Sequence, residues 1–68
     1  MKELCYKKLF KKLIDVEMKN YELMEKAIIS KSTFYKLKNN ENVTTDILLR
    51  ICNVLDCDIS EIVECVEE

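Results

Sequence analysis

The sequence predicts an all-α fold, a compact domain of five short helices, and three observations predict it. Apolar residues recur at spacings of three and four along most of the chain, as one face of a helix requires. Residues that can cap a helix (Asn20, Ser30, Thr44 or Thr45, Asp58 or Ser60) stand ahead of the apolar runs. No stretch alternates with period two for long enough to argue a strand. The 68 residues allow one small core, with no room for a second domain or an elaborate enzyme cleft. There is no Gly and no Pro to mark a linker, and no internal repeat or low-complexity tract.

The first helix is expected from Tyr6 to Met18, with Tyr6, Leu9, Phe10, Leu13, Ile14 and Met18 on its apolar side. Lys7, Lys8, Lys11 and Lys12 lie on the other side. Asn20 can accept from the free amides of a second helix of about two turns that begins at Tyr21, with Leu23, Met24 and Ala27 buried. Ser30 repeats that chemistry for a third helix, from about Lys31 to Asn39, with Phe34 and Leu37 facing inward. Two short helices joined by a tight turn thus follow one another.

After the polar loop Asn39-Asn40-Glu41-Asn42, Thr44 or Thr45 caps a fourth helix with an apolar stripe of Ile47, Leu48, Ile51, Cys52 and Leu55. Asp56 can end it, since Asp tolerates the left-handed conformation better than most residues. Asp58 or Ser60 is expected to start a fifth helix carrying Ile59, Ile62, Val63 and Val66.

Several function classes find no support. No apolar run approaches the ~18 residues that cross a bilayer, and the first residues, MKELCYKKLFKKL, lack the apolar segment of a secretory signal. A cytoplasmic protein without membrane association is therefore expected. Cys5, Cys52, Cys57 and Cys65 form no Cys-x-x-Cys and there is no histidine, so reduced structural thiols are expected, with no metal and no cofactor. Without histidine, and with little volume in which to bury a carboxylate, the chain reads as a non-enzyme with no small-molecule pocket.

Charge is uneven along the chain. Residues 1 to 40 hold ten Lys against five acids, a balance of +5, whereas residues 41 to 68 hold Arg50 against eight acids, a balance of -7. A basic half that contains a capped pair of short helices suits phosphate binding, because lysines and helix N-terminal amides both favour anions.

The segment NYELMEKAIISKSTFYKLKN resembles the helix-turn-helix of the lambda-repressor-like regulators, the Cro or XRE family, and the likeness continues through TTDILLRICNVLDCDISEI. It spans about Tyr6 to Val63. The family's Leu followed by a small residue, its Ala-Gly-Ile-Ser turn and its Ser-Thr-aliphatic recognition helix fall on Leu23-Met24, Ala27-Ile28-Ile29-Ser30 and Ser32-Thr33-Phe34. Its Leu-Gly-Val is represented by Leu55-Asp56-Cys57, which puts Cys52 and Cys57 on small apolar core positions. The chain is most similar to small members that consist of this domain and almost nothing else.

Two departures carry expectations of their own. Relatives have Gly where this chain has Ile28, and a left-handed β-branched residue costs roughly 1–2 kcal/mol. A slightly altered turn is expected, with Ile28 adding apolar cover. Many relatives also pair a buried Arg of helix one with a Glu ending the recognition helix. Leu13 and Lys38 stand there instead, which removes the ion pair and frees Lys38 for a phosphate.

The resemblance implies a sequence-specific regulator of transcription, a repressor acting mainly by occupying its operator, whose partner is double-stranded DNA. The recognition helix would enter the major groove. Lys31, Ser32, Tyr35 and Lys36 would then touch base edges, while Asn20, Ser30, Lys38, Asn39, Asn40, Asn42 and Thr44 would touch phosphates. It further implies a homodimer on a palindromic site, with Ile59, Ile62, Val63 and Val66 of the fifth helix as the contact surface. Two other readings compete. One is a protein-interaction module of the same fold, such as an antitoxin or an accessory subunit, which an exposed apolar patch around helix five would favour. The other is a thiol sensor or metal site, which requires at least three sulfurs to converge.

Overall fold

A computed structural model describes residues 1–67. The chain runs β1 (Lys2–Cys5), α1 (Lys7–Asp15), α2 (Asn20–Ala27), α3 (Lys31–Lys38), α4 (Thr45–Leu55), a single 3-10 turn (Ile59–Glu61) and β2 (Glu64–Glu67). The domain is mostly helical. Four of the five expected helices are present, and a two-stranded antiparallel sheet takes the place of the fifth.

All four α-helices end in the same way. Glu17, Ile28, Asn40 and Asp56 have φ of 56°, 55°, 56° and 50°. In each case the amide of the following residue bonds back to a carbonyl in the last turn: Met18 to Leu13, Ile29 to Met24, Glu41 to Lys36 and Cys57 to Cys52. This is the bonding of a Schellman motif, in which the left-handed position usually belongs to Gly. In a chain without Gly, four side chains occupy it. Left-handed backbone after Asp15 also explains why α1 stops short of the expected Met18.

Ile28 corrects an expectation. The turn is not rearranged: Ile28 takes the left-handed conformation, and at 78% exposed it covers nothing. A hydrogen bond from Arg50 to the Ile28 carbonyl (2.9 Å) helps to hold this turn, with Arg50 oriented by Asp46 at 3.0 Å. The apolar cover comes from Ile29, the next residue, which is buried.

The caps are mostly as expected. Ser30 accepts from the Thr33 amide (3.2 Å) and Thr44 from the Ile47 amide (3.3 Å). At α2 the cap lies one residue earlier than expected. Lys19 is the cap residue and Asn20 the first helical residue, and the Glu22 carboxylate accepts from the Lys19 amide at 3.0 Å. Lysine has no acceptor with which to complete the reciprocal half of a capping box.

The core gathers Leu9 and Leu13 of α1, Leu23 and Ala27 of α2, Phe34 and Leu37 of α3, and Leu48, Ile51 and Cys52 of α4, together with Tyr6, Ile29 and Ile62. Phe10 meets Phe34 edge to face at 5.8 Å between ring centroids, a favoured arrangement. Ile14 does not join this core and stands 77% exposed. Tyr6 is enclosed, and burial pushes its phenol above the ordinary value despite the opposing effect of the Val43 backbone. Its hydroxyl donates to the Glu41 carbonyl (2.8 Å) and its amide to Asn40 Oδ1 (3.0 Å), tying the start of α1 to the loop between α3 and α4.

The C-terminal segment departs most from expectation. Its helix start is real: Asp58 accepts from the Ile59 amide and Glu61 from the Asp58 amide, both at 2.8 Å. Only one turn follows, because Ile62 plugs the core at 0% exposed and the chain then extends. β2 pairs with β1 in the register Lys2 to Glu67, Glu3 to Val66, Leu4 to Cys65 and Cys5 to Glu64. The spacing of Ile59, Ile62, Val63 and Val66 imitates a helical stripe, but β-branched residues also suit a strand, and β1 supplies the partner.

Candidate nucleic-acid interface

On α3 the residues at 34 and 37 point into the core, those at 32, 35 and 36 fall on the opposite arc of the helix, and those at 31 and 38 flank the buried side at its two ends. Lys31, Ser32, Lys36 and Lys38 are exposed, and Tyr35 keeps about half its surface. One helix thus presents three cations, a hydroxyl and a phenol to solvent while two large apolar side chains fix its angle. None of the three lysines takes part in an ion pair among the described residues.

The lysines of α1 fare differently. Lys12 meets Glu61 at 3.2 Å, and Lys8 meets the Ser60 carbonyl at 3.3 Å and Glu64 at 3.9 Å. The hydrogen bond that Lys12 donates to Glu61 raises Lys12 above its usual value. Glu61 is lowered, first by the Asp58 amide and then by Lys12. The acidic C-terminal segment therefore neutralises part of α1 and leaves α3 unopposed.

Around α3 the structure brings several of the expected residues together. Lys36, Asn42 and Thr44 line one shallow groove with Thr33, Val43 and Ile47, between α3 and the start of α4. Ser30, Ser32 and Thr33 form a hydroxyl cluster at the start of α3. Asn39 closes α3 and is exposed. Asn20 is exposed at the first position of α2, on a different element. Asn40 has structural work, since its side-chain oxygen is engaged by the Tyr6 amide, which leaves its amide nitrogen to offer.

The residues expected to join two copies are dispersed by the missing helix. Ile62 is enclosed in the core and cannot form a contact surface; Ile59 remains 41% exposed, and Val63 and Val66 are half-buried. Of the four cysteines, Cys5 and Cys52 are buried, Cys57 is half-buried and Cys65 exposed. Burial, with Cys52 beside it, raises the Cys57 thiol above its ordinary value. Among the described residues, no three His, Cys, Asp or Glu side chains are placed to hold a metal. Among the described residues, no helix is long and apolar enough to cross a membrane.

Three contributors were not read from the sequence. Lys19 at the start of α2 could have been found from Glu22 three residues on, which is half of a capping box. Thr33 enters the hydroxyl cluster although its position marks only a helix interior. Arg50 reaches a carbonyl 22 residues away, a contact without any local signal.

Residues 8–68 match the profile of the Cro/C1-type HTH DNA-binding domain. Among solved structures, the chain is similar to the crystal structure of the transcriptional regulator VanUg, with a TM-score of 0.94 at 49% identity over 98% of this chain and 89% of that one. No curated protein matches.

Proposed function

The chain belongs to the Cro/C1-type helix-turn-helix DNA-binding family, and from that membership we propose that it is a sequence-specific transcriptional regulator, a repressor by occupation of its operator. The observation that carries this reading is the outer arc of α3, with Lys31 at its edge and Ser32, Tyr35 and Lys36 exposed opposite a buried Phe34 and Leu37. Laid in a major groove, the first four residues of that arc face base edges. Lysine donates to guanine O6 and N7, serine suits several edges, and tyrosine packs on a thymine methyl or bonds a phosphate.

Lys38, Asn39, Asn42 and Thr44 flank the arc and take phosphates, with Ser30, Asn20 and the amide nitrogen of Asn40 as further polar contacts. Two copies on half-sites about one helical turn apart supply the contacts that one small domain lacks. Ile59, with the half-buried Val63 and Val66, is what remains of the surface for joining them. The rival reading as a protein-docking module loses ground, since the apolar patch that would favour it has its centre, Ile62, inside the core.

Selection from a random duplex library at physiological salt tests the proposal. A short enriched site with twofold symmetry, bound at least ~10³ tighter than bulk DNA, is expected. Salt-labile binding without enrichment would point instead to a protein partner.

A further inference from the structure

One residue holds the loop between α3 and α4 at two adjacent points. Tyr6, just ahead of α1, donates its hydroxyl to the Glu41 carbonyl at 2.8 Å and its backbone amide to Asn40 Oδ1 at 3.0 Å. Both directions are fixed, because a carbonyl only accepts and a backbone N–H only donates. Asn40 must therefore give its oxygen to Tyr6, and its NH2 group turns the other way. The Tyr6 ring is enclosed, whereas Asn40 and Glu41 lie at the surface. Among the described residues, no ion pair joins α1 to α3 or to this loop, and residues 42 and 43 make no backbone–backbone hydrogen bond. The polar anchor of the loop on α1 is thus Tyr6. Asn39, Asn40 and Asn42 share that loop, and Asn42 lies with Thr44 and Lys36 in the groove beside α3.

We propose that Tyr6, buried and out of reach of DNA, is a positioning residue for DNA binding: it fixes the loop in the pose from which Asn39, Asn40 and Asn42 meet phosphates, and it turns the Asn40 NH2 outward as one of the donors. The proposal rests on the DNA-reading role proposed for α3 and its flanks. Its consequence differs from that of a lysine. An asparagine is a neutral donor that bonds a phosphate oxygen without releasing a counterion. Loss of the tether therefore lowers affinity for all sequences alike and leaves the salt slope in place, whereas loss of Lys38 flattens that slope.

The experiment titrates the intact chain against two duplexes, one carrying the site enriched by selection and one of random sequence, over a range of salt. The wild type is compared with Tyr6→Phe, Asn40→Asp and Ile51→Val at a temperature where circular dichroism shows all four folded. Tyr6→Phe keeps the buried ring and removes only the hydroxyl. It should weaken both duplexes by about three- to tenfold, with their affinity ratio and the salt slope unchanged. Asn40→Asp keeps an oxygen for the Tyr6 amide and exchanges the outward NH2 for a second, anionic oxygen. It should weaken both duplexes and flatten the slope by about one. Ile51→Val truncates the core on α4 without touching either bond, and should bind as the wild type does. In spectra of the labelled protein, the Asn40 side-chain amide should shift when duplex is added to the wild type or to Ile51→Val, and shift less in Tyr6→Phe.

Wild-type affinity in Tyr6→Phe would overturn the proposal. So would an equal loss in Ile51→Val, which would assign the effect to stability alone, or an Asn40→Asp variant that binds as tightly as the wild type. A wild type that binds neither duplex would remove the DNA-reading role itself, a failure distinct from these, in all of which the wild type binds.

Discussion

α1 and α3 carry the same kind of side chain to different ends. Lys8 and Lys12 on α1 are drawn to Ser60, Glu61 and Glu64, while Lys31, Lys36 and Lys38 on α3 meet no carboxylate among the described residues. Read along the chain, both helices belong to one basic half. In space, the acidic C-terminal segment folds back over one of them only. Charge available to a phosphate is thus decided by where the acids are placed as much as by the number of lysines.

That contrast can be broken or sharpened. The largest effect should come from the floor of the α3 arc: Leu37→Ala should cost about 2–5 kcal/mol, read from urea denaturation, and DNA binding should fall with it. Next come the lysines themselves. Lys31→Ala and Lys36→Ala should each relax base preference by about 1–3 kcal/mol, whereas Lys38→Ala should weaken all sequences alike and flatten the salt slope by about one. Lys8→Ala should leave DNA affinity and its salt dependence unchanged. Equal losses from Lys8→Ala and Lys38→Ala in the same titration would erase the distinction between the two helices.

A smaller change lies at the turn that aims α3. Ile28→Gly removes a left-handed β-branched residue that is exposed and packs on nothing, and should stabilise the domain by about 1 kcal/mol. For a chain of this size, that is a rise of roughly 4–8 °C in Tm. The smallest effect concerns the acids over α1. Because Glu61 is held below its ordinary value in the folded state, it contributes stability above its unfolded pKa, and that stability is lost as pH falls through its folded pKa. Glu61→Gln should flatten the acid limb of stability against pH, and an unaltered limb would mean the Asp58 and Lys12 contacts are not made in solution.

The sequence made the helical part of this molecule legible because its signals are local. Ser30 and Thr44 mark helix starts within three residues of what they bond, Asp56 marks a helix end by its left-handed backbone, and Leu23, Phe34, Leu37 and Ile51 follow the helical period into the core. The illegible parts are non-local. β1 is four residues long and finds its partner at the other end of the chain, so no hairpin turn announces it. β2 is equally short, and its residues fit a helical stripe as well as a pleat. At the α3 face, the resemblance to the family's recognition helix was what grouped Lys31, Ser32, Tyr35 and Lys36. The hydroxyl cluster of Ser30, Ser32 and Thr33 depends on three distances that spacing does not contain.

The pairing of β1 with β2 also sets an order of assembly. Each helix can form from neighbours, but Lys2 meets Glu67 only after the whole intervening chain has been brought round, and closing so long a loop carries an entropy cost that packing must first offset. Two strands of four residues do not persist without the helices beneath them. The sheet should therefore zip up last in refolding and exchange its amides first under native conditions, so that Cys5, sheltered in the finished domain, is the thiol whose reactivity reports transient opening of the clasp.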